Sequence, residues 1–194
     1  MEKLRIGCVV MAAGNASRFG ENKLAARVDG KPLLVHALET VPTDRFCRVA
    51  VVTQYPEAAE AARRFSFMPV KNRHPDWGIS HTISLGLDAL GDCDAALFLV
   101  SDQPLLEQAS VAELLDFYCQ HPSHIVALGH NGVRGNPCLF PARFYPELLA
   151  LNGDRGGSAV IRNHEADLIL LETDALELTD IDTPEALKQA GSAG

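Results

Sequence analysis

Three short apolar runs, Ile6 to Met11, Arg48 to Thr53 and Ala95 to Val100, punctuate the first half of the chain, and helix-like patterns lie between them. Runs that are apolar at nearly every position, not at every second one, belong to strands covered on both faces. Parallel neighbours need a crossover long enough to hold a helix, so this alternation predicts an α/β fold with a mainly parallel sheet and helices on both sides. Helices are expected over Pro32 to Thr40, Glu57 to Arg64, Ser80 to Leu90 and, behind a serine cap, Ser110 to Gln120. Further strands are expected at Ile125 to Leu128, Cys138 to Phe140 and Asp167 to Leu171, with helices at Phe144 to Leu151, Ser158 to Asn163 and Pro184 to Gln189. The sheet should have about six or seven strands, slightly above the usual mean.

The chain has 194 residues, of which 47% are hydrophobic and 22% charged, which suits one domain over residues 1–190 with a disordered tail from Gly191. Its net charge of −8 disfavours nucleic acid as the main partner, so any phosphate must be held locally. Cys8, Cys47, Cys93, Cys119 and Cys138 are scattered without a CxxC pair and read as reduced structural residues. The run from Ile6 to Ala13 is too short to span a membrane, and a cytoplasmic location is expected. The seven histidines show no zinc-binding spacing.

The most informative stretch follows the first strand: Met11-Ala12-Ala13-Gly14-Asn15-Ala16-Ser17-Arg18-Phe19-Gly20-Glu21-Asn22-Lys23. Small side chains let backbone N–H groups approach a phosphate chain, and Arg18 and Lys23 would neutralise it. Neither the P-loop pattern GxxxxGK[ST] nor the dinucleotide pattern GxGxxG is present. From these residues alone a plain strand-to-helix turn remains open. A second candidate is Asp102, in Ser101-Asp102-Gln103-Pro104 at the carboxyl end of the run Ala95 to Val100. Ligands bind at that edge of open α/β sheets, and a lone carboxylate there suits Mg²⁺, which takes one or two carboxylates plus substrate phosphates. The alternative is a turn or cap acid ahead of a proline.

The stretch Ala12-Ala13-Gly14-x-x-Ser17-Arg18-Phe19-Gly20-x-x-Lys23 resembles the signature of nucleotidyltransferases with a glycosyltransferase-A-like, Rossmann-like three-layer fold. Its Ala-Ala-Gly form resembles the molybdenum cofactor cytidylyltransferase branch, where guanylyl-transferring relatives carry Ala-Gly-Gly. Ser-Asp-Gln-Pro resembles that family's metal motif, and Asp180-Ile181-Asp182-Thr183-Pro184-Glu185 resembles its closing segment, which implies that Asp182 joins Asp102 as a metal ligand. The residues themselves also allow Asp182 or Thr183 to cap a last helix.

Lys71 to Leu87 resembles the family's nucleotide loop, which implies contacts from Asn72 and Ser80; Arg73 ahead of the proline-containing stretch and Thr82-Ile83 in place of the usual Ser-Leu depart from it, and His81 lies inside it. Gly135-Asn136-Pro137 and Asn152 to Gly157 resemble the acceptor side, with Asn136 in place of a histidine and best read as a turn residue. The resemblance runs from Met11 to Glu185 and implies transfer of CMP from CTP to the phosphate of molybdopterin. Mg²⁺, with Mn²⁺ as its substitute, is the implied cofactor, and a molybdoenzyme or its maturation chaperone the implied protein partner. Ala12, Ala13 and Gly14 would hold phosphates through their amides, and Arg18 and Lys23 would oppose leaving-group charge. Guanylyl transfer, transfer to a sugar or alditol phosphate, and a cofactor-carrying chaperone without chemistry are the alternatives.

Overall fold

The computed structural model describes residues 4–14 and 23–181. Arg18, Asp182, the helix expected at Pro184 to Gln189 and the tail from Gly191 lie outside them. In chain order the elements are β1 (Ile6–Ala12), β2 (Arg27–Val28), β3 (Lys31–Pro32), α1 (Leu33–Glu39), β4 (Arg48–Thr53), α2 (Pro56–Arg64), β5 (Met68–Lys71) and α3 (Ile79–Leu90), followed by β6 (Ala95–Val100), α4 (Gln108–Gln120), β7 (Ile125–His130), β8 (Val133–Pro141), α5 (Tyr145–Leu149), α6 (Gly157–Asn163) and β9 (Leu168–Glu172).

Seven strands form one sheet in the order β5-β4-β1-β6-β8-β7-β9, and β2 and β3 form a separate small ribbon. Only β8 runs against its neighbours: β5, β4, β1 and β6 are mutually parallel, as are β7 and β9. Alternation along the strands divides the core into two layers. Cys8 and Val10 of β1 and Leu97 and Leu99 of β6 pack with α1, α2 and α4, through residues such as Leu38, Ala62 and Leu114. Val9 and Phe98 face the other way and meet α3, α5 and α6 through Ile83, Leu148 and Val160. Helix α3 lies close on β1 because Gly86 has no side chain: a Cβ there would sit 2.4 Å from Val9 Cγ1.

The expected α/β architecture is what the chain adopts, with three local corrections. Helix α4 starts at Gln108, so Ser110 is inside it and not its cap, and the Ser110 hydroxyl donates to Glu177 instead. Asn136 is not in a turn: β8 runs through it, and residues 135–137 fall where the register with β7 shifts. Strand β5 had no clear signal because it is a short edge strand containing Pro69, a position where a missing N–H is tolerated. All five cysteines are free; Cys47 and Cys93, far apart in sequence, bring their sulfurs to 2.9 Å. No helix among the described residues is long and apolar enough to cross a membrane.

Candidate active site

Strands β1 and β6 lie side by side at the centre of the sheet, with Met11 opposite Val100, and the chain leaves both at the same edge. Because the connections from β1 and β6 diverge there, a crevice forms beyond the strand ends. Ser101 holds the two exits together, its hydroxyl donating to the Met11 carbonyl at 2.9 Å. One residue on, the Asp102 carboxylate accepts a hydrogen bond from Lys23 Nζ at 3.0 Å. Lys23 opens a short 3-10 turn, Lys23–Ala25, that returns the chain from the glycine loop. The two side chains are 15% and 28% exposed, buried enough to fix the geometry and open enough to exchange partners.

Both line a cavity of about 490 Å³ together with Ala13, Gly14, Thr82, Ser101 and Asp154. The wall at Ala13 and Gly14 is fastened from behind by strand β4's exit. Gln54 Nε2 donates to the Ala13 carbonyl at 3.0 Å, and the Tyr55 hydroxyl donates to the Gly14 carbonyl at 3.2 Å. In a trans peptide the C=O and N–H point in opposite directions, so anchoring the Ala13 carbonyl on Gln54 turns the Gly14 N–H away from it. Burial raises the Tyr55 hydroxyl above its ordinary pKa, with the Glu57 charge adding to it, which keeps the phenol a donor. Ala12 is still inside β1, paired with Thr53 and 1% exposed; the cavity lining takes Met11 before it and Ala13 after it but not Ala12.

The α3 side is built differently. Gly78, at φ 86°, lies so close to the 153–154 backbone that a Cβ would stand 2.3 Å from the Gly153 carbonyl carbon. Glycine is therefore required there both for its backbone angle and for space. The Ser80 N–H donates to the Gly153 carbonyl at 3.1 Å, which zips the start of α3 to that loop and brings Asp154 to the cavity. Ser80 itself is buried and outside the cavity lining.

Asn72 is 2% exposed, and its amide is spent within the protein: Nδ2 donates to Thr82 Oγ1 at 3.2 Å, and Oδ1 accepts the His74 N–H at 2.9 Å. It braces Thr82, which does line the cavity. His81 packs against the exposed Trp77, with ring centroids 4.8 Å apart, and is also not in the lining.

A third segment reaches the site from the C-terminal side. The buried Glu177 carboxylate accepts from the Glu107 N–H (3.0 Å), the Ser110 hydroxyl (2.9 Å) and the Thr173 hydroxyl (2.7 Å), which pins this segment to α4. Gln103 Nε2 then donates to the Leu178 carbonyl and, at 2.9 Å, to Asp180 Oδ1. Finally the Ile181 N–H donates to the Asp102 carbonyl at 2.8 Å. The described chain thus ends beside Asp102. Nothing in the sequence pattern singled out Glu177, and Gln103 and Thr82 stood in motifs without a role of their own; what all three do depends on contacts across the fold.

A small-residue loop, an ammonium and a carboxylate at the switch point of a parallel sheet are the parts of a polyphosphate site. The MobA-like NTP transferase domain matches residues 8–168 of the chain. The chain belongs to that family. It is therefore a nucleotidyltransferase of the MobA-like type. It is 28% identical over 191 residues to the purine catabolism protein PucB of Bacillus subtilis, covering 91% of each protein. It is 33% identical over 111 residues to a probable molybdenum cofactor guanylyltransferase of Thermococcus kodakarensis, a match that spans 56% of this chain and 49% of that protein. In fold it superposes on Rv0371c of Mycobacterium tuberculosis with a TM-score of 0.82 at 19% identity, over 98% of this chain and 99% of that one.

Proposed function

We propose that the chain transfers CMP from CTP to the terminal phosphate of molybdopterin and releases pyrophosphate, with a divalent cation, Mg²⁺, held in the cavity. The observation that carries this is the Lys23–Asp102 pair, which joins the end of the glycine loop to the exit of β6 across a space of nucleotide size. In the reaction an acceptor phosphate oxygen attacks the α-phosphorus, a new P–O bond forms, and the bond to the β-phosphate oxygen breaks with its electrons leaving on pyrophosphate. A phosphate monoester is already ionised near neutral pH, so no strong general base is needed; positioning and charge stabilisation suffice.

The Ala13–Gly14 wall would hold phosphate oxygens through the Gly14 amide. Lys23, and Arg18 beyond the described residues, would oppose the charge that develops on pyrophosphate. The donor set suits a hard cation: Asp102 offers a partly buried carboxylate in the cavity, and Ile181, bonded to Asp102's own carbonyl, is the residue before Asp182. The ion would be held by Asp102 and, as the family resemblance implies, Asp182, with substrate oxygens completing its shell, since Mg²⁺ usually takes one or two carboxylates plus substrate phosphates. When bound, such an ion neutralises charge across the α-phosphate and the leaving group.

The choice of CTP is supported by the resemblance of Ala12-Ala13-Gly14 to the cytidylyl-transferring form of the loop, and the choice of acceptor by the partial match to a molybdenum cofactor guanylyltransferase. That same match favours GMP transfer as the second reading. The product would pass to a molybdoenzyme or its maturation chaperone. Pyrophosphate release is to be measured with each of the four NTPs, Mg²⁺, and either molybdopterin or an alditol phosphate. Release with CTP and molybdopterin is expected; release with GTP, or with the alditol phosphate alone, would replace this reading, and Mg²⁺-independent cofactor binding without release would mark a carrier.

A further inference from the structure

Cys47 and Cys93 are 46 residues apart in sequence, yet their sulfurs meet at 2.9 Å. Cys47 directly precedes β4 and Cys93 comes just before β6, the strands on either side of β1. Backbone hydrogen bonds fix both: the Cys47 N–H donates to the Ile6 carbonyl and the Cys93 N–H to the Gly91 carbonyl, each at 2.8 Å. Arg48, next to Cys47, clamps the end of α3 to the start of β4, its Nη1 donating to the Ala89 carbonyl at 2.8 Å and to the Leu90 carbonyl at 3.3 Å. The sulfurs meet over the start of the central strand, where Gly7 leaves them room: a Cβ there would stand 3.1 Å from Cys93 Sγ and 2.6 Å from Leu90 Cδ1. The pair lies at the edge of the sheet where Ile6 is opposite Ala95, and Asp102 lies beyond the other edge, where Met11 is opposite Val100. The two thiols are not equivalent: Cys47 is exposed, whereas Cys93 is 4% exposed. Burial, then the hydrogen bond and charge of Cys47, push the Cys93 thiol up to about 12, against the pull of Arg5 and Arg48. A solute oxidant therefore reaches Cys47 first, and Cys93 stands behind it as a neutral thiol.

We propose that Cys47 and Cys93 form a reversible thiol–disulfide pair, oxidised by hydrogen peroxide, with Cys47 as the peroxide-reactive sulfur and Cys93 as the resolving one. The Cys47 thiolate, its proton given to solvent, attacks one peroxide oxygen; the O–O bond breaks, and hydroxide leaves and is protonated to water. Cys47 is then a sulfenic acid. Cys93 Sγ attacks Cys47 Sγ, the S–O bond breaks, and the departing hydroxide takes the Cys93 proton as a second water. Two thiols have lost two electrons and one peroxide has gained them. A small thiol reverses the reaction by attacking the exposed Cys47 sulfur, and a second one completes it, leaving their own disulfide as the oxidised product. An S–S bond of about 2.05 Å requires the two sulfurs to close by less than about 1 Å. The crosslink would enclose β4, α2, β5 and α3, the helix whose Thr82 lines the cavity around Asp102. It restricts the unfolded chain and so stabilises that half of the sheet, without changing the charge of any group in the cavity. It also stops oxidation at the disulfide, short of the irreversible acids that an exposed cysteine without a resolving partner reaches.

The test treats the wild type with a slight excess of hydrogen peroxide, blocks the remaining thiols with iodoacetamide in denaturant and maps the cysteines by peptide mass spectrometry. Cys119→Ser, which lacks the other exposed thiol, is treated in parallel to remove linkage between molecules. A peptide linked through Cys47 and Cys93 is expected in both proteins, with Cys8 and Cys138 alkylated, and dithiothreitol should return the linked pair to alkylatable thiols. The thermal midpoint of the oxidised protein should rise by roughly 5 °C or more, the scale of closing a loop of this length in a chain of this size, and fall back on reduction. Cys93→Ser should stop at the sulfenic acid, seen as a dimedone adduct on Cys47, and Cys47→Ser should give neither linkage nor adduct. Absence of the linked peptide, a dimedone adduct on Cys47 that persists in the wild type, or labelling of Cys93 in Cys47→Ser as fast as that of Cys47 in Cys93→Ser would overturn the proposal. A linkage that forms and leaves the midpoint unmoved would overturn the stabilising role. Should Cys93→Ser fail to fold, the wild-type linkage and Cys47→Ser decide by the same criteria.

Discussion

The cavity around Lys23 and Asp102 adjoins a smaller one, of about 170 Å³, and the two differ in how they are made. The larger one is assembled from chain that has just left a strand: Ala13 and Gly14 after β1, Ser101 and Asp102 after β6. Strand ends are fixed by the sheet, so a few residues in a short motif can place a charge there reliably. The smaller cavity is assembled from the interiors of elements, from Ile83 on α3, Phe98 on β6, Arg134 and Phe140 on β8 and Ile161 on α6. Its shape is a by-product of packing, and among the described residues only one charged side chain, that of Arg134, lines it. The first design concentrates electrostatics and should govern rate, whereas the second concentrates apolar contact.

The variants that would break this division are ordered by their expected effect. Lys23→Ala or Asp102→Ala should lower turnover by roughly a hundredfold or more, the scale of losing one preorganised electrostatic group. Steady-state pyrophosphate release measures it, and the thermal midpoint should hardly move, because the pair is partly exposed. Glu177→Ala should cost about 2–3 kcal/mol of stability, since three donors lose a charged acceptor. Chemical denaturation reads this, and the apparent affinity for Mg²⁺ should fall as well because the segment reaching Asp102 loses its anchor.

Asn72→Ala should cost about 1–2 kcal/mol by leaving the His74 N–H and the Thr82 hydroxyl without a partner. A nucleotide KM that rises beyond what unfolding explains would mean that Asn72 touches the ligand directly and does not act through Thr82. Gln54→Ala, which frees the Ala13 carbonyl, should raise the CTP KM by only a few-fold, about the worth of one neutral hydrogen bond, and leave the acceptor KM alone. An equal effect on both substrates would show that the glycine loop positions the acceptor as well as the nucleotide.

The sequence made the larger cavity readable from local motifs, whereas it touched the smaller one only through the resemblance at Asn136 and at Gly156-Gly157, for a physical reason. Continuous apolar runs mark β1, β4 and β6, whose observed ranges agree with expectation to within a residue, and the motifs that hold Gly14 and Asp102 begin where two of them end. Arg134, Ser158 and Phe140 carry no local signal; they meet only because β8 enters the sheet antiparallel beside β6. Gly135-Asn136-Pro137 reads locally as a turn, yet the chain stays extended because its neighbours on both sides are paired. Asn72 looks like a nucleotide contact from its loop, but burial turned it into a brace. In each case tertiary packing, and not local preference, decided the outcome.

The central claim is that Asp102 carries the cation that seats the nucleotide's phosphates. Calorimetric titration of CTP into the wild type and Asp102→Ala, each with and without Mg²⁺, tests it without relying on any acceptor. Binding to the wild type should tighten strongly with Mg²⁺, and that gain should vanish in the variant. An equal Mg²⁺-dependent gain in both proteins would contradict the account.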